Sequence, residues 1–152
     1  NDDTKVELQL TTSENADARS PNQTLTDASS RKPILVDTAF VEWAPNDFVK
    51  VQAGKMRYPW VRTSSYFYDG DVNPEGLAVN FAHGGLFING VYNILQERGP
   101  AAASLTTPRV ANAESTLVGG QLGYKFTLND STKLTLATAY FSHNAIKGWN
   151  GA

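Results

Sequence analysis

A chain of 152 residues has room for one domain, and although 41% of it is hydrophobic, no apolar run approaches the roughly 18 residues that a membrane helix needs. The net charge of -2, with signs interspersed, leaves no basic stripe for nucleic acid, and the lack of cysteine removes disulfides, thiolate metal sites and thiol nucleophiles. Period-two alternation then dominates, with no helical stripe of any length, and predicts seven strands at about 4–12, 33–44, 48–57, 76–82, 85–96, 115–128 and 132–144. In the first, Lys5, Glu7 and Gln9 alternate with Val6, Leu8 and Leu10. The second is ambiguous, because Asp37 and Glu42 fall on opposite faces of a simple alternation. Leu77, Val79 and Phe81 then oppose Ala78, Asn80 and Ala82, and after a turn at His83-Gly84-Gly85 the residues Leu86, Ile88, Gly90, Tyr92 and Ile94 oppose Asn89 and Asn93. In the last hairpin Val118, Leu122, Tyr124, Phe126 and Leu128 oppose Gly119, Gln121, Gly123, Lys125 and Thr127; past Asn129, the residues Leu134, Leu136, Thr138 and Tyr140 oppose Lys133, Thr135, Ala137 and Ala139.

The connections alternate in length. Asn-Asp-x-x-Lys occurs three times, as NDDTK, NDFVK and NDSTK, each time as a short turn leading into a strand. Asn and Asp supply turn geometry there. Between the hairpins lie long loops at 13–32, 58–75 and 97–114, against a usual length of about 4–6 residues in compact soluble domains. Short turns at one end and long loops at the other are the asymmetry of an outer-membrane barrel. The polar face is mostly Gly, Ala, Asn, Gln and Thr, which suits a lumen, and the apolar face ends in Trp43, Phe81, Tyr92, Tyr124 and Tyr140, which suits interfacial girdles. The expected fold is all-β, an antiparallel up-and-down transmembrane β-barrel, with 1–152 belonging to a single barrel domain. Seven strands leave two lipid-exposed edges, and the chain starts in a turn and stops without a terminal aromatic strand, so a fragment of a larger barrel is expected. The alternative is a soluble β-sandwich that binds carbohydrate through Tyr66 to Asp71.

Three stretches carry a family resemblance: Ala39-Phe40-Val41-Glu42-Trp43, then Val51-Gln52-Ala53-Gly54-Lys55-Met56-Arg57-Tyr58-Pro59-Trp60, then Asp71-Val72-Asn73-Pro74-Glu75-Gly76-Leu77-Ala78. In this order they resemble the putative porin family of Gram-negative outer membranes, closely from Ala39 to Phe81 and elsewhere as pattern. The resemblance implies an outer-membrane porin, commonly trimeric, through which small polar solutes or ions pass by passive diffusion. The expected surroundings are outer-membrane lipid and lipopolysaccharide, the remaining strands of the barrel or neighbouring subunits, and no nucleic acid.

Candidate sites follow from the two faces. Lys5, Glu7, Lys50, Gln121, Lys125 and Lys133 are expected to face the lumen. Arginine at Gln121 is therefore expected to be tolerated, whereas arginine at Leu122 or Leu136 is not. The loop from Arg57 to Gly76 joins Arg57, Arg62, Asp69, Asp71 and Glu75 to a run of aromatics; folded inward, it would narrow the pore. Lysines on the wall favour anions while Glu7 and the acidic loop oppose them, which leaves ion selectivity open. Asp69-Gly70-Asp71-Val72-Asn73 spaces its oxygens as a calcium loop does, but Pro74 stands at the glycine position and no bidentate Glu follows, so no metal or other cofactor is expected. No catalytic residues are expected either, since His83 and His143 fall at opposite rims.

Overall fold

The computed structural model describes residues 3–12, 33–64, 69–97 and 114–146. Seven strands follow one another, β1 (Thr4–Thr11), β2 (Leu35–Asn46), β3 (Val49–Lys55), β4 (Glu75–His83), β5 (Leu86–Gln96), β6 (Ser115–Asn129) and β7 (Thr132–Asn144). Each pairs antiparallel with the next, in the order β1 to β7 of a single up-and-down sheet, and no helix occurs among the described residues. The sheet is not closed: β1 and β7 each keep one edge without a partner among those residues.

The short turns explain two of the three repeated Asn-Asp pairs. The Asn46 Oδ1 accepts the N–H groups of Phe48 (2.9 Å) and Val49 (3.0 Å), and the Asn129 Oδ1 accepts that of Ser131 (3.0 Å). Each asparagine thus satisfies turn donors that a strand ladder leaves behind. The third pair, at Asn1, lies outside the described residues. At the remaining turn Gly84 adopts φ 58°, a conformation that L-residues with a Cβ avoid.

Cross-strand register sorts the side chains into two unlike faces. One row runs Val41, Ala53, Leu77, Tyr92, Val118 across five strands; the row behind it runs Glu42, Gln52, Ala78, Val91, Gly119. The first belongs to an outer face on which Val6, Leu8, Leu122, Leu136 and Tyr140 stand exposed, up to 75% for Tyr140. Such an apolar surface, spanning every strand, far exceeds what a soluble monomer leaves uncovered. The core lies on the opposite, inner face: Phe40, Met56, Trp60, Ala78 and Val91, with Tyr58 and Phe141 packed against them.

Two departures from simple alternation matter. Between β1 and β2 the register skips, so that Gln9 faces Thr38 while Leu10 faces Val36, leaving Asp37 as the extra residue of a bulge. The bulge places Asp37 where the buried Asn73 donates its Nδ2–H to the carboxylate at 2.8 Å, and this resolves the apparent opposition of Asp37 and Glu42. At the other departure β3 ends at Lys55, because the Met56 N–H turns to the Pro74 carbonyl (3.0 Å) and its side chain sinks into the core.

Candidate functional site

After β3 the chain crosses the inner face as a strap, residues 56–62. Met56 anchors its start under Phe40 and Ala78, and Pro59, which has no N–H to donate, keeps it from continuing a ladder. Trp60 packs edge-on against Phe141 of β7, with ring centroids 4.9 Å apart. Gly119 makes room for that pair: a Cβ there would come within 2.6 Å of the Phe141 ring and 3.2 Å of Trp60.

The strap is tied down at both ends. Near β6, the Gln121 side chain treats Val61 as a strand partner, its Oε1 accepting the Val61 N–H at 2.9 Å and its Nε2–H donating to the Val61 carbonyl at 2.8 Å. The same Oε1 accepts Asn89 Nδ2–H at 3.1 Å, and Asn89 Oδ1 accepts Asn80 Nδ2–H at 2.8 Å. Amides from β4, β5 and β6 therefore form a hydrogen-bonded chain that ends on one backbone position of the loop, Val61. At the other end Arg57 reaches β1, donating to the Glu7 carboxylate at 2.9 Å and to the Gln9 Oε1. Glu7 also takes the Lys5 ammonium at 2.8 Å and the Thr38 hydroxyl at 3.4 Å. Beside this cluster Glu42 accepts from Lys50 (3.3 Å) and from Gln52 (2.8 Å).

Two recesses flank the strap. One, of about 350 Å³, lies toward β1 and is lined by Lys5, Glu7, Glu42, Lys50 and Arg57. The other, of about 680 Å³, lies toward β7, where Thr135, Ala137 and Ala139 face Trp60, Arg62 and Gln121. The first is walled by three cationic and two acidic side chains; in the second, small neutral side chains of β7 face Trp60 and a single cation, Arg62. Neither holds a constellation suited to bond-making chemistry, and among the described residues no group of His, Asp or Glu is placed to hold a metal ion.

The residues picked out from sequence are distributed as follows. Lys5, Glu7, Lys50, Gln121, Lys125 and Lys133 all fall in the register of the inner face. Arg57 stands on the strap opposite Glu7. Arg62 extends toward the turn at 69–71, where its Nη2 lies 3.2 Å from the position a Gly70 Cβ would take. Within that turn Asp69 spends a carboxylate oxygen on the Asp71 N–H (3.1 Å), and Asp71 is exposed. Glu75 starts β4 across from Lys55 and Ile94, in the outer-face register and apart from the others. Tyr66, Phe67 and Tyr68 lie outside the described residues. Of the other polar residues here, Asn80 and Asn89 are legible in the sequence as polar-face residues and Glu42 as one of an ambiguous pair, while Gln52 goes unread; what joins them is a polar residue at the same parity in successive strands, visible only once the register is known.

The arrangement is a wall with an apolar side and a polar side, the polar side crossed by a tethered loop. A family model described as putative porin matches residues 1–152, the whole chain. No curated protein matches it.

Proposed function

The chain belongs to the putative porin family, and on that premise we propose that its seven strands are part of the wall of a water-filled channel in the outer membrane of a Gram-negative bacterium. Small polar solutes or ions cross it by passive diffusion, without catalysis. The observation that carries this reading is the division of one sheet into an exposed apolar face and a polar face crossed by the 56–62 strap. Lipid and lipopolysaccharide cover the outer face, where backbone groups are already paired within the sheet. Further strands of the same barrel satisfy the free edges of β1 and β7, and neighbouring subunits of a trimer take part of the apolar face.

The strap is the element that narrows the channel. It lies across the inner wall with Arg57 and Arg62 on it, and the Asp69–Asp71 turn flanks the Arg62 side. Full-length protein reconstituted into planar bilayers is expected to produce stepwise conductance, and reconstituted into liposomes to admit small sugars while excluding larger ones. Correctly folded protein that leaves both membranes impermeable contradicts the proposal.

A further inference from the structure

The repeated lysine has a position as regular as the turn before it. Lys5, Lys50 and Lys133 are each the second residue of their strand, β1, β3 and β7; β3 and β7 leave short turns, and β1 starts at the same end of the sheet, Thr4 lying across from Trp43. The fourth such strand, β5, has Phe87 at that place, and Lys125 from neighbouring β6 sets its ammonium over the Phe87 ring, 5.5 Å from the centroid. Lys5 is held in the same way over Phe40, at 5.8 Å. All four lysines are on the inner face. The short-turn end of that face therefore carries an ammonium at, or directly over, the start of every strand that rises from it.

Compensation is uneven around this collar. Lys5 meets Glu7, which also serves Arg57, and Lys50 meets Glu42. Lys125 and Lys133 have no acidic partner among the described residues, and Lys125 faces Thr135 while Lys133 faces Thr127. Asp47 and Asp130 sit on exposed turn tips rather than on the inner face. Asp69 and Asp71 stand in the long β3–β4 connection, at the opposite end of the strands. A chain with an overall excess of acids thus presents a positive inner wall at its short-turn mouth.

We propose that this lysine collar is a selectivity site that gathers small anions, such as solutes bearing a carboxylate or phosphate group, at the short-turn mouth of the channel. It rests on the porin reading and adds the class of solute to it. A charged rim on a low-dielectric wall concentrates counter-ions. Holding an ammonium over an aromatic face keeps it at the wall without supplying the carboxylate that would neutralise it. Glu7 is already matched by Lys5 and Arg57, and the 69–71 acids stand at the far end of the strands, so the lysines set the charge at this mouth.

The test uses full-length protein in planar bilayers under a potassium chloride gradient, with reversal potential as the readout. The parent channel should prefer chloride. Lys125→Gln with Lys133→Gln should lower the chloride-to-potassium permeability ratio, and Lys125→Glu with Lys133→Glu should lower it by about tenfold at low salt, with the difference shrinking as salt rises. Lys55→Gln, which removes a lysine in the outer-face register, should leave the ratio unchanged. Conducting double variants with the parent ratio would overturn the collar and leave the porin reading standing. Absence of any channel in the folded parent protein would overturn the reading on which the collar rests.

Discussion

Gln121 and Leu122 are neighbours on β6, yet the sheet asks different things of them. Leu122 is about half exposed on the outer face among other aliphatic side chains and has no particular partner. Gln121 is 8% exposed and makes directed hydrogen bonds to Val61 and Asn89. The outer face demands only a property, apolarity, which many side chains supply. The inner face demands partners at fixed places, which almost none can replace. The two faces should therefore fail in different ways when altered.

The largest expected effect is on the outer face. Leu122→Arg should cost about 2–4 kcal/mol of folding stability in lipid if the position lies near the bilayer midplane, measured by denaturant titration of vesicle-folded protein, whereas Leu122→Ile should be nearly silent. Equal penalties for the two would break the comparison.

Next comes Gln121→Leu, a change toward greater hydrophobicity that nonetheless strips partners from the Val61 N–H, the Val61 carbonyl and the Asn89 amide. It should destabilise by about 1–3 kcal/mol, because buried donors and acceptors lose their bonds and regain no water. With that end of the strap untied, single-channel conductance should rise and become noisier. Gln121→Arg, expected from sequence to be harmless on a water-filled wall, should behave in the same direction, since the position is covered by the strap rather than open. A silent Gln121→Leu would mean that the amide cluster does not hold the loop.

Gly119→Val sharpens the point that the inner face is specific in shape as well as in polarity. A Cβ there already clashes with Phe141 at 2.6 Å and crowds Trp60 at 3.2 Å, so the larger side chain forces repacking that should cost about 1–3 kcal/mol. The neighbouring outward Gly120, whose nearest atom to a built Cβ is 3.9 Å away, should accept Ala with little change. The smallest effect on folding belongs to Arg57→Gln, because its pair with Glu7 is exposed and exposed ion pairs contribute little. There the change should appear in the salt dependence of conductance instead.

The same contrast explains what the sequence disclosed. Outer-face residues such as Val6, Leu77, Leu122 and Leu136 were assigned from alternation, because a two-residue period in one strand reports apolarity directly. The alternating turns and loops then suggested the up-and-down order. What alternation cannot report is a relation between strands. The bulge at Asp37 arises from the β1 register; the Asn80–Asn89–Gln121 chain arises from three strands aligned side by side. The inward path of residues 56–62 depends on Val61 finding Gln121, 60 residues away in the chain. Pro59 and Trp60 marked a departure from the sheet without saying in which direction. Glu75 belonged by sequence to the acidic loop, but it starts β4 and its register turns it away from the strap.

The central claim is that one face of this sheet meets lipid and the other meets water, and β6 tests it most directly. Residues 1–152 contain no cysteine, so single cysteines placed at Leu122, Tyr124, Lys125, Phe126 and Thr127, with any cysteine elsewhere in the full-length chain replaced by serine, report on one position each. In folded, vesicle-embedded protein, a membrane-impermeant thiol reagent should label the Lys125 and Thr127 positions and spare Leu122, Tyr124 and Phe126. Fluorophores attached before folding at those three should be quenched by lipid-borne quenchers. Labelling of all five positions alike by the impermeant reagent, without lipid quenching at Leu122, would contradict the account.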